Sequence, residues 1–316
     1  VTTPQGYLAP YVTPAIVQQA PTGISWNTIP PGTQTTPQQK TAELFNICQR
    51  ATAICDGYVN QILRCTTATE FLQGPDYYCT YQQSTGNMRL IMSEWPIIEI
   101  LSVQVSPNTF PNSWTSLPSG YWRPETPVVN IYGSAAPTGS AQGGQSIIIS
   151  SQAGGGWWLG RNGYIFQVEY LSGWPHTQLT SAVTAGATTI DVDDCTGWYI
   201  TNPAGVLQGA RGGIFDPAGA EEAAMITGST ASSGPGTLTL SAPLLYDHPQ
   251  YTMVSTMPQT IQWGCVLAAT SIALTRGATA TAVHSIPGGQ VAMAGKGPEA
   301  LMQEAELLWH SYKRVL

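Results

Sequence analysis

Charge is scarce in this chain. Only 9% of its 316 residues are Asp, Glu, Lys or Arg, against roughly 25% in ordinary soluble domains. A free monomer normally keeps a charged surface, whereas surfaces that meet neighbours lose charge. The deficit points to a multi-subunit assembly, with a charge-poor secreted β protein as the other reading. Basic runs are missing too, and the net charge is −7. Without clustered Lys and Arg, little is available to displace counterions from a phosphate backbone, which argues against nucleic-acid binding. An acidic wall past which DNA slides remains compatible with the charge.

Long apolar runs are absent as well. The longest, residues 263–274, is too short and interrupted to span a bilayer. No basic-then-apolar leader opens the sequence at Val1, so a soluble protein made in a cytoplasm, with no membrane partner, is expected. Cys48, Cys55, Cys65, Cys79, Cys195 and Cys265 form no C-x-x-C pair. Scattered through a large chain, they are expected to be reduced and buried rather than to form disulfides or a metal site.

Signatures of catalysis are equally sparse. His176, His248, His284 and His310 stand alone, outside any H-E-x-x-H arrangement. Asp191-Val-Asp-Asp194 lacks the alternating ligands and closing Glu of a calcium loop and reads as a turn after a strand. Glu221-Glu222 offers two carboxylates and nothing more. Gly154 to Gly156 precede Trp157-Trp158 with no Lys-Ser/Thr, unlike a phosphate loop, and no G-x-S-x-G occurs. An enzyme is not expected, nor is a cofactor or a metal.

Pattern is present in what remains. Residues 1–36, rich in Pro, Thr and Gln, read as an extended N-terminal arm that orders only by packing on something else. Thr36-Pro37 is an N-cap followed by Pro at the first helical position. Leu44, Cys48, Ala51, Cys55, Tyr58 and Ile62 then step by fours and threes, predicting a helix to about Arg64. Strands are expected at 88–93, 97–106, 128–132, 146–150 and 164–171, with Trp95-Pro96 as a break. Residues 176–256, rich in Gly, Ala, Thr and Ser, read as a small β module inserted into a surface loop, with strands at 188–192, 222–227 and 237–241. Ile261, Cys265, Ala268, Ile272 and Thr275 predict a helix ending at Gly277. A last helix starts at Pro298, with Leu301, Ala305, Leu308 and Tyr312 on one face.

The expected fold is therefore α+β: a helical core built from a long N-terminal helix and C-terminal helices, a β-sheet region, and an inserted small barrel- or sandwich-like module. The core covers 37–175 and 257–316, and the module 176–256.

The order of these elements resembles the head-to-tail connector (adaptor) family of tailed bacteriophages. The resemblance rests on the strand pair Arg89-Leu-Ile-Met-Ser-Glu-Trp-Pro-Ile-Ile-Glu-Ile-Leu-Ser-Val-Gln-Val105 after the first helix and on Tyr164-Ile-Phe-Gln-Val-Glu-Tyr-Leu-Ser-Gly173. It rests also on the Pro258-led helix of small residues and the closing helix ending Leu308-Trp-His-Ser-Tyr-Lys-Arg314. It covers roughly 38–106, 160–175 and 257–316 and leaves out the arm and the inserted module. It implies a homo-oligomeric ring, usually of twelve, that docks under the portal protein, continues the DNA channel and receives a tail or tail-completion protein. It implies a location at the head–tail junction of the virion, with double-stranded DNA passing without specific binding. Carried over by position, portal or inter-subunit contacts fall on the loop Ser285-Ile286-Pro287-Gly288-Gly289-Gln290-Val291-Ala292-Met293 and on Trp309, Tyr312, Lys313, Arg314, Val315 and Leu316. Removing residues 309–316 is expected to leave a folded subunit that attaches poorly. Two other readings stay open: another neck or tail-completion protein, and a carbohydrate- or surface-binding β protein using Trp157, Trp158, Trp174 and Trp198 as stacking platforms.

Overall fold

The computed structural model describes residues 9–26, 36–73, 79–82, 87–107, 112–124, 146–149, 164–201, 207–216, 220–276, 279–280 and 297–314. The chain opens with α1 (Pro14–Gln19), β1 (Ile24–Ser25) and α2 (Pro37–Val59). Eight strands follow: β2 (Thr66–Gln73), β3 (Cys79–Gln82), β4 (Asn87–Ile91), β5 (Ile97–Pro107), β6 (Thr115–Ser116), β7 (Trp122–Pro124), β8 (Ser146–Ile149) and β9 (Tyr164–Ser172). Then come β10 (His176–Gln178), β11 (Thr189–Val192), β12 (Tyr199–Thr201), β13 (Leu207–Gly209), β14 (Arg211–Phe215), β15 (Glu222–Ser229), β16 (Gly236–Leu240) and β17 (Met253–Ser255). The chain closes with α3 (Gln259–Thr275), β18 (Thr279–Ala280) and α4 (Pro298–Trp309).

The expected helical core with β appendages is overturned. Strand outweighs helix, and four α-helices are present among the described residues. The physical reason lies in strands whose inward face is polar or small. In β2, Thr66, Ala68, Glu70 and Leu72 point inward while Phe71 is 63% exposed, so the usual apolar alternation is blurred. In β13 to β15 the glycines and alanines carry backbone pairing with little side-chain pattern to read.

Three apolar clusters organise the molecule. The first gathers α2, α3, α4 and the arm residues Tyr11, Val12 and Val17. The described part of the arm, residues 9–26, is thus seated on the chain's own helices and is partly helical. Thr36 caps α2 by a reciprocal bond with Gln39, and Pro37 takes the first turn. The helix stops at Val59, five residues short of expectation, because Asn60 turns left-handed at φ 57°. That turn frees Leu63 and Cys65 to pair with the backbone of Trp174. The second cluster fills the space between two four-stranded sheets, ordered β2-β9-β5-β6 and β3-β4-β8-β7. The strand expected at 128–132 lies outside the described residues.

The third cluster belongs mainly to residues 179–254 and includes Trp198 and Ile214, with Cys65, Ile98 and Leu171 joining from outside. It is wrapped by the antiparallel sheet β10-β17-β14-β15-β16-β11. That sheet curls until its ends meet, since Leu179 bridges Val192 and Thr180 N donates to Asp191 O.

Candidate assembly site

The resemblance assigns the C-terminal segment to partner contacts, and the structure divides it. Trp309 is fully buried inside its own subunit. Its indole lies on the backbone of Gly264 in α3, and Nε1 donates to Ile261 O at 3.2 Å. Trp309 is therefore a rivet between α4 and α3.

Tyr312 is partly buried. Its ring stacks on Trp95 at 6.1 Å between centroids and meets Trp174 edge-on at 5.7 Å. Its hydroxyl lies 2.7 Å from Thr260 Oγ1, and its carbonyl accepts from Gln61 Nε2 at 3.2 Å. Lys313 lies over the Tyr58 ring at 4.9 Å, and Arg314 N donates to Val59 O at 2.9 Å. The tail is thereby pinned to the end of α2, where the Lys313 side chain is exposed. Residues 285–293, Val315 and Leu316 lie outside the described residues. So do Trp157 and Trp158, while Trp174 and Trp198 are buried and offer no free face for a sugar ring.

Where the tail is seated, the three clusters meet. Gly173 occupies φ +94°, and a Cβ there would come within 2.7 Å of Leu63 O, so only glycine lets β9 pass this close to the chain leaving α2. Beside it sits a buried polar node that the lone residues gave no hint of. Tyr11 Oη donates to Asp56 Oδ1 at 2.6 Å and accepts from Leu63 N and Arg64 N at 3.0 and 3.1 Å. Tyr11 N donates to Thr52 Oγ1. His176 packs edge-on against Tyr11, with its ring nitrogens 2.9 Å from Pro10 O and Ser255 Oγ.

Burial lifts the Asp56 carboxyl to about 6, against the pull of the Tyr11 and Leu63 hydrogen bonds and the Arg64 charge. Burial lowers His176 to about 4, with the Pro10 carbonyl acting the other way. Arg64 is pulled down by burial, opposed by Tyr11, Asp56, Asp194 and Asp193. The sequence does carry one signal for this junction: the two Trp-Pro pairs, Trp95-Pro96 and Trp174-Pro175, both stand at it.

Of the acidic groups weighed for chemistry, Asp193, Asp194 and Glu222 have structural employment. Asp194 Oδ1 accepts from Thr196 N and Gly234 N, and Asp193 Oδ1 accepts from Thr177 Oγ1 and Gln178 N. These bonds fix the turn after β11. Glu222 accepts from Leu245 N and lies 2.7 Å from His248 Nε2, while Asp216 lies 3.2 Å from Nδ1. His248 thus clamps the ends of β14 and β15 to the 244–251 turn. Among the described residues no three His, Cys, Asp or Glu side chains are placed to hold a metal ion, and no helix is long and apolar enough to cross a membrane. Comparison with family models, with curated proteins and with solved structures finds no match to this chain.

Proposed function

We propose that this chain is a ring-forming subunit of a head-to-tail connector in a tailed bacteriophage, docking under the portal and offering a platform to the tail. One observation carries the reading. The segments on which the resemblance rests, far apart in sequence, are brought to one junction, with α2, β5, β9, α3 and the end of α4 meeting around Gly173, Trp95, Trp174 and Tyr312. The inserted β module leaves this body at Pro175 and returns at Thr256, where Thr256 N donates to Pro175 O at 3.0 Å. Its exit and return points therefore adjoin, as a loop insertion requires.

Such a subunit works by geometry. Each copy contributes a modest contact, and closure under rotation multiplies it. The chain's low charge suits a surface largely covered by copies of itself, by portal and by tail-completion protein. An uncharged or acidic channel wall lets DNA pass without gripping it. The test is electron microscopy of the purified chain with and without portal protein. Rings with a central hole that cap the portal are expected. A monodisperse monomer that ignores the portal overturns the reading.

A further inference from the structure

Within the helical layer α3 is the central member. It is buried over most of its length, and α2 and α4 each pack mainly on it and only lightly on one another. The outer faces of α2 and α4 are left uncovered by the described residues, and they differ in a complementary way.

On α2, Arg50, Ala53 and Gly57 are exposed and Ile54 is 38% exposed. These positions stand at i, i+3, i+4 and i+7, the outline of a four-residue hole for a side chain from a facing helix. The Gly57 corner is open, since a Cβ there would meet nothing within 4 Å. On α4, Glu299, Gln303 and Leu307 are exposed on one face, and Glu306 flanks them half-buried. Leu307, at 76%, is the most exposed large apolar side chain among the described residues. Arg50, Glu299 and Glu306 have no ion-pair partner among the described residues. The α2 face thus carries a lone cation beside a hole, and the α4 face carries carboxylates beside a knob.

We infer that the α4 face of one copy docks on the α2 face of the next, with Leu307 in the hole lined by Ala53, Ile54 and Gly57 and with Arg50 facing Glu306. The occupant is a second copy of this chain, because the two faces complement each other in shape and charge while neither complements itself. Joining unlike faces is heterologous, which generates a ring when the rotation closes. This inference rests on the ring reading above and names the contact that builds the ring.

The experiment pairs two exposed positions, Ala53→Cys and Leu307→Cys, in the full chain and oxidises the assembled protein with copper phenanthroline. The double variant is expected to give a ladder of covalent multimers on non-reducing gels, while each single variant stays at background. Leu307→Asp is expected to lower the assembled fraction about tenfold, as when an anchor is removed from an interface centre. Its thermal melt should not change, and Arg50→Glu should be rescued by Glu306→Arg. Rings of the wild type, with no ladder and full assembly of Leu307→Asp, overturn this interface and leave the ring standing. If Leu307→Asp leaves the ring intact and abolishes portal binding, this interface also falls and the portal becomes the occupant. A wild-type chain that never assembles brings down the ring reading and this contact with it.

Discussion

Replacing Gly264 by alanine puts a methyl carbon about where the Trp309 indole now lies, 2.7 Å from Cε2. The indole has little room to yield, because it is fully buried and its Nε1 is bonded to Ile261 O. Overpacking of this kind costs about 1–3 kcal/mol. Alanine in a helix interior returns about 1 kcal/mol relative to glycine. The single change is therefore expected to destabilise by up to about 2 kcal/mol. Trp309→Ala empties the site and costs about 3–5 kcal/mol. With the indole gone the clash is gone, so Gly264→Ala should change sign and stabilise that background by up to about 1 kcal/mol. Urea unfolding followed by circular dichroism on the four corners of the cycle measures this. If Gly264→Ala had the same sign with and without Trp309, the rivet would not exist as described.

Tyr11→Phe strips the hydroxyl from the node that serves Asp56, Leu63 N and Arg64 N, and a loss of about 1–3 kcal/mol is expected in denaturant unfolding. The same node sets a pH dependence with two opposing parts. The His176 part is full above its ordinary value of 6.5 and is lost as pH falls toward 4, because the unfolded chain takes up the proton first. The Asp56 part is full below its ordinary 3.8 and is lost as pH rises through about 6, because the fold holds the proton longer. Between pH 7 and 5 the first loses about 2 kcal/mol and the second gains roughly two-thirds of that, so wild-type stability is expected to fall by only about 0.5 kcal/mol from this node. His176→Asn should make stability rise as pH falls over that range, and a profile that stays flat or falls would refute the assignment. Truncation from Trp309 removes a core side chain, so it is expected to lower the melting temperature. Deleting only residues 313–316 should spare the fold and impair portal attachment, read by melting and by co-sedimentation.

The helices are the legible part of this fold. Thr36-Pro37, Pro258 and Pro298 mark starts with a mechanism, and the four-and-three stepping of Leu44 to Cys55 and of Ile261 to Ala268 names the faces that meet in one cluster. The end of α2 is not legible, since Tyr58 and Ile62 continue the stripe past the point where Asn60 turns and tertiary pairing with Trp174 takes over. β2 is hidden because Thr66 and Glu70 share its inward face with Ala68 and Leu72 while Phe71 faces out. The fold class escapes the sequence because short Gly- and Thr-bearing strands leave little periodic trace. At the site, Trp309 and Tyr312 stand out in the sequence as aromatics with a task, but the sequence cannot say on which side of a surface an aromatic works. Tyr11 and His176 are unreadable because their meaning depends on contacts across more than 160 residues.

The curled sheet of the β module has a consequence for life at close quarters. A flat sheet of six strands exposes two margins of unpaired amides and carbonyls, each a template on which another molecule's backbone can grow. Here the margins spend themselves on each other where Leu179 meets Val192. A neighbouring molecule then finds no open pair of strand margins there on which to zip into a fibre.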